Sequence, residues 1–205
     1  MNDGSIHPPA RGTALAHSDV MPQMREAGAG PALRSRPAVR DARLLTFLDG
    51  WLAFRGERVM PKRSDIRPMD FPSLLPHIYL YRRDDDGASY RCVLAGEEIH
   101  FAWRTPIMGC DVRDMFPPAE LQRILRRWGR ALEEPAALYA FVRASDGGSA
   151  AERLLLPVSD ADGSARFLFG ITIYQRRQEQ RPEDVAPPPE ALFYALDSLD
   201  AGAGR

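Results

Sequence analysis

The stretch VMPKRSDIRPMDFPSLLPHIYLY, Val59 to Tyr81, places Ser64 beside Asp65 with His77 a little further on. As nucleophile, orienting acid and base, these three would make a hydrolase triad. That chemistry needs mutual hydrogen bonds and an oxyanion hole, and no GxSxG elbow accompanies them. The stretch also carries four prolines, Pro61, Pro68, Pro72 and Pro76. Proline removes backbone donors and pushes its predecessor out of the helical region, so the segment is expected to be an extended strap. Ser64 and Asp65 then read as turn-fixing side chains bonded to nearby backbone. Arg63 and Asp65 are expected to form a polar clasp that fastens the strap to a sheet.

Other reactive types are sparse. The four histidines are His7, His17, His77 and His100, and none has a second His or Cys at metal-ligand spacing. Cys92 and Cys110 make neither a CxxC pair nor a disulfide framework, which suits a reducing cytoplasm. Cys92 is expected to point inward with Tyr90 and Leu94, as a small buried hydrophobe, if Arg91 faces solvent. Arg123, Arg126, Arg127 and Arg130 sit off the apolar stripe of a helix and are offset by Glu120, Glu133 and Glu134, the pattern of a solvated face. A net charge of -1 gives nucleic acid and anionic membranes little to hold.

The elements that must position these residues follow from patterning. The 205 residues suffice for one ordinary domain, and 44% hydrophobic content suits a soluble globular chain. No apolar run approaches the roughly 18 residues of a membrane span, and the first twenty residues lack the apolar core of a signal peptide. Residues 1–40, rich in Pro, Gly, Ala and Arg, read as a disordered tail. DARLLTFLDGWLAFRG spaces Leu44, Phe47, Leu48, Trp51 and Leu52 helically, with Asp41 as N-cap and Gly56 as terminator. HIYLYRR and SYRCVLA form a hairpin around DDDGA. Short helical turns are expected through GEEIHFAWRTPIMGCDVRDMF, and PPAELQRILRRWGRALEE is the clearest helix, with Leu121, Ile124, Leu125, Trp128 and Leu132 on one face. Three strands follow, AALYAFVRAS, AAERLLLPVS and ARFLFGITIYQ, joined by short turns. Residues 176–205 read as a charged, proline-rich linker ending in a short helix over ALFYALDSLD. The fold class is therefore α+β: a five-stranded antiparallel sheet with helices packed on one face and the Trp51 helix available to cover the other. Ile78 and Leu80 alternate with Tyr79 and Tyr81, so both faces are apolar or aromatic.

This layout, together with MPKRSDIRPMDFPSLLPHIYL, YRCVLAGEEI, GCDVRDMFPPAEL, Pro135 and LLLPVSDADGSARFLFG, resembles a PAS-like family of alphaproteobacteria, formerly a domain of unknown function. The resemblance covers residues 41–175. It marks Trp51, Pro61, Arg63, Asp65 and Gly109 as structural motif residues, and it implies a sensory or regulatory role with no specific cofactor. Some PAS sensors bind haem through a histidine on the long helix, which has none here; His100 is the remaining candidate for a haem-bearing sensor or an enzyme. Cys110 lies in MGCDVRD, unlike the motif of flavin-bonding light sensors. Leu94, Ile99, Trp103, Leu125 and Trp128 flank the cavity expected between sheet and helices, which suits a small, mostly apolar ligand. The expectation is a cytoplasmic regulatory module, not an enzyme, that signals by association with a protein partner and forms a homodimer through its first helix.

Overall fold

The computed structural model describes residues 37, 39–143, 150–175 and 190–202. The tail expected over residues 1–40 lies almost wholly outside them, as does the linker over 176–189. Helix α1 (Ala42–Arg55) starts where the Asp41 carboxylate accepts the Arg43 N–H at 2.9 Å and stops at Gly56, whose φ of 56° suits a residue without Cβ. Its apolar stripe, Leu44, Phe47, Leu48 and Trp51, is completely buried.

The strap is not the extended segment expected: it runs as three short 3₁₀ turns, Arg63–Asp65, Pro68–Asp70 and Leu75–His77, with Pro68 and Pro76 in first-turn positions where a missing N–H costs nothing. Its fastening differs from the expected clasp. Asp65 takes the Lys62 N–H at 3.0 Å and pairs with Arg58 at 2.7 Å, while Arg63 reaches only the Ile66 carbonyl at 3.5 Å. Both carboxylate partners lie beside the strap, so this pair closes a turn. The tie to the sheet is made at Ser159: the Pro61 carbonyl accepts its N–H at 2.9 Å and its hydroxyl at 3.2 Å.

Strands β1 (Ile78–Arg83) and β2 (Tyr90–Ala95) form the first hairpin. Helices α2 (Glu97–Trp103), α3 (Val112–Met115) and α4 (Pro118–Glu133) lead to β3 (Ala136–Arg143), β4 (Ala150–Ser159) and β5 (Ala165–Gln175). The sheet is antiparallel throughout, in the order β2-β1-β5-β4-β3-β6. The sixth strand, β6 (Glu190–Ala195), replaces the short terminal helix expected from sequence and pairs with the outer edge of β3; a 3₁₀ helix (Leu196–Gly202) follows it. Pairing satisfies a row of β3 backbone groups that would otherwise stand at an open edge.

Each sheet face is buried. On one lie α1, the strap and the C-terminal turn, packed on Ile78, Leu80, Tyr139, Leu154, Leu156, Phe169 and Ile171. On the other lie α2, α3 and α4, packed on Tyr79, Tyr81, Leu138, Leu155 and Leu168. The strand alternation therefore reads as expected, and α1 covers the second face. Among the described residues, no helix is long and apolar enough to cross a membrane.

Candidate functional site

A cavity of about 40 Å³ lies between the sheet and helices α2 and α4, roughly room for two or three waters. Ile99, Ala102 and Trp103 of α2, Phe116 and Trp128 supply its helical wall; Tyr79, Tyr81, Arg153, Thr172 and Tyr174 supply its sheet wall. The two walls meet through rings: Tyr81 packs on Trp128 with centroids 4.8 Å apart, and Trp103 meets Phe116 edge-on at 5.1 Å. Tyr79 can lie across β5 because it stands opposite Gly170, where a Cβ would come within 2.5 Å of its ring. The Tyr79 hydroxyl accepts from the Thr172 hydroxyl at 3.2 Å. Burial pushes both Tyr79 and Tyr81 hydroxyls above the usual tyrosine range, so they stay protonated.

Of the five pocket residues expected from sequence, Ile99, Trp103 and Trp128 line this cavity. Leu125 packs among the same cluster without reaching the cavity wall. Leu94 is on the opposite face, with Leu75 and Ile78. The cause is a bulge: Leu80 pairs with Leu94 but Tyr81 with Cys92, so Val93 is an extra residue and the alternation flips there. Cys92 does face inward, apart from Leu94, and burial drives its thiol up to about 12. It is an inert apolar filler at neutral pH.

The sequence reading missed Ala102, Phe116, Arg153, Thr172 and Tyr174, and did not assign Tyr79 and Tyr81 to the cavity. One signal was present. AAERLLLPVS sets Glu152 and Arg153 side by side in a strand that is apolar on both faces, and charges in such a strand need a reason.

The triad residues have other occupations. Asp65 is held by Lys62 and Arg58, and His77 Nε2 lies 3.4 Å from Arg43. Burial, ahead of the Arg43 charge, lowers the His77 pKa. Ser64 is exposed. Ser64→Ala is expected to shift the urea midpoint by less than about 0.5 kcal/mol equivalent; a loss of 2 kcal/mol or more, on the same scale, would give Ser64 a structural duty not visible here. His100 Nδ1 accepts the Ile107 N–H at 3.1 Å. In the neutral ring that places the proton on Nε2, and the Nδ1 lone pair is engaged by Ile107, so neither nitrogen offers a free lone pair to haem iron. No group of three or more His, Cys, Asp and Glu among the described residues is arranged to hold a metal.

Gly109, the last motif residue, has φ of 85°, and its N–H bonds Cys92 O at 2.8 Å, pinning the chain beside β2. Next to it, buried Asp111 caps α3 and gathers the Ser89 hydroxyl at 2.5 Å and Arg113 at 2.7 Å. Burial raises its pKa, but the hydrogen bonds from Arg113 and Ser89 outweigh this and hold the carboxyl well below the usual range. A depressed folded pKa contributes stability above the unfolded value near 4 that is lost as pH falls. Asp111→Asn is expected to cost about 2 kcal/mol at neutral pH, less than a fully buried pair because Arg113 is half exposed. The gap between the two proteins should narrow below about pH 4 in acid titrations of stability; a constant gap would show that charge is not involved.

An antiparallel sheet whose second and third strands are joined by three helices, with a cavity beneath those helices, defines a small α+β module of the receptor-like kind. A PAS domain family model matches residues 39–173, and the chain belongs to the PAS domain family. No curated protein matches the chain. The family is one of sensory and regulatory modules, so a regulatory role is the coarse assignment that its membership supports.

Proposed function

We propose that this chain is a non-enzymatic regulatory module that senses a small molecule in the cavity between sheet and helices and passes the signal on by association. One observation carries this reading. Neighbouring residues of β4 serve the two faces: Arg153 lines the cavity, while Glu152 binds the backbone at the start of α1. A shift of β4 on occupancy is thereby linked to the N-terminal helix. A second link runs to the C-terminal segment, because buried Arg55 at the end of α1 donates to Leu196 O at 2.8 Å.

The cavity is small, so a ligand of more than a few heavy atoms must part Trp103 and Phe116. Closed and open states then differ in contacts that a ligand can bias. The cytoplasmic location and homodimer expected from sequence belong to this proposal. The stripe of α1 is spent inside the chain, so self-association would use its outer side, where Thr46 and Asp49 are exposed.

Native mass spectrometry of the protein from its own host tests the reading. A retained small molecule together with a dimeric mass supports it. A monomer with an empty cavity, unchanged by a metabolite extract, would leave the sensing proposal without a basis.

A further inference from the structure

We propose that the cavity is an anion site that takes the carboxylate of a small organic acid, with Arg153 as its anchor. This rests on the ligand-sensing reading above and names the ligand class.

Among the described residues that line the cavity, Arg153 is the one charged side chain. It stands directly opposite Thr172 on β5, and Thr172 bonds Tyr79 on β1. Arg153, Thr172 and Tyr79 thus form a polar row across three adjacent strands on a face that is otherwise aromatic and aliphatic. Arg153 lines the same cavity as the rings of Tyr79, Tyr81 and Tyr174.

A guanidinium presents a planar fork of donors that matches a carboxylate, and such charge-assisted pairs gain strength where water is excluded. The Tyr79 hydroxyl, which accepts from Thr172, keeps its own hydrogen to donate to a carboxylate oxygen. The helical wall, Ile99, Ala102, Trp103, Phe116 and Trp128, is aliphatic and aromatic, and the rings of Tyr81 and Tyr174 complete the sheet wall. They call for a short aliphatic or aromatic body and offer no second cation, which favours a monocarboxylic acid over a dicarboxylic one. The volume near 40 Å³ suits the acid head, and the body would enter by displacing the Trp103–Phe116 edge contact.

One internal acid bears on the site. Glu120, in the first turn of α4, has its pKa raised by burial while Arg123 and Arg153 oppose the rise.

The test compares acids with their neutral amides on the unmodified full chain: butyrate against butyramide and benzoate against benzamide, by calorimetry and by tryptophan fluorescence, since Trp103 and Trp128 line the cavity. Each acid is expected to bind at least about tenfold tighter than its amide. Arg153→Met should bring the acid down to the amide, and Arg153→Lys, which keeps charge without the fork, should fall between. If Arg153→Met does not fold, the acid–amide comparison still decides. Equal binding of acid and amide overturns the anion assignment and leaves ligand sensing in place. Binding of neither also overturns it, and if native mass spectrometry finds no retained molecule, ligand sensing falls as well.

Discussion

Trp51→Ala is expected to lower the free energy of unfolding by about 3–5 kcal/mol, the cost of deleting a large buried aromatic side chain. For a domain whose total stability is of order 5–15 kcal/mol, this removes much of the margin. Trp51 is fully buried against the sheet face that α1 covers, among Phe47, Leu48 and Leu156. Its indole N–H also donates to Pro157 O at 3.2 Å. Pro157 sits beyond Leu155, the last β4 residue paired with β3, so its missing N–H is not needed on that edge. Trp51→Phe keeps most of the ring volume and loses that bond, for an expected cost of about 1–2 kcal/mol. Urea denaturation of the three proteins at neutral pH measures both steps. A Trp51→Ala cost under about 1 kcal/mol would mean that α1 lies outside the cooperative core.

The covering role of α1 was readable from Leu44, Phe47, Leu48 and Trp51, because a helical period in apolar residues fixes a buried face without knowledge of the partner. The hairpins and α4 were readable for the same kind of local reason. Features set by non-local pairing were not. ALFYALD has apolar residues both consecutively and at spacings a helix would use, and only the open edge of β3, far away in sequence, decides for a strand. Leu94 failed through one extra residue: the bulge at Val93 leaves no mark in the pattern, yet it moves every later side chain of β2 to the other face. The strap differs from expectation in form and in fastening: three 3₁₀ turns stand where an extended segment was expected, because proline fits the first positions of such turns, and the tie to the sheet runs from Ser159 to the Pro61 carbonyl, a backbone acceptor that the residue pattern does not mark. In the cavity, helix-borne Ile99, Trp103 and Trp128 were found and the sheet-borne wall was not. A strand with two apolar faces does not announce which of them holds the space.

The pair Glu152 and Arg153 gathers what the sequence left undecided. A charged residue on each face of one inner strand is costly unless each has work to do. Glu152 is fully buried. Its two carboxylate oxygens take the Arg40 N–H at 2.7 Å, the Asp41 N–H at 3.0 Å and the Tyr139 hydroxyl at 2.9 Å. Arg40 also lies 4.4 Å over the Phe141 ring. The chain is thus fixed to the sheet at the point where it enters α1, by a group one residue away from the cavity.

Glu152→Gln is expected to cost about 3 kcal/mol, because one carboxylate oxygen becomes an amide NH₂ and confronts a buried donor. Glu152→Ala would leave all three donors without their acceptor; adding Tyr139→Phe to it should recover part of the loss, and the double-mutant cycle isolates that share. The pH dependence has a definite sign. Burial, the largest influence on Glu152, raises its pKa against the hydrogen bonds that lower it. A folded pKa above the unfolded one gives a contribution that is complete below the unfolded carboxylate value near 4.3 and is lost as pH rises through the folded value. The stability gap between the parent protein and Glu152→Gln should therefore be widest in acid and shrink on the way to neutrality, opposite to the Asp111→Asn gap. Urea titrations at a series of pH values read both gaps. A Glu152 gap that widens with rising pH would mean that the hydrogen bonds outweigh burial, making the ionised carboxylate the favoured form of this latch.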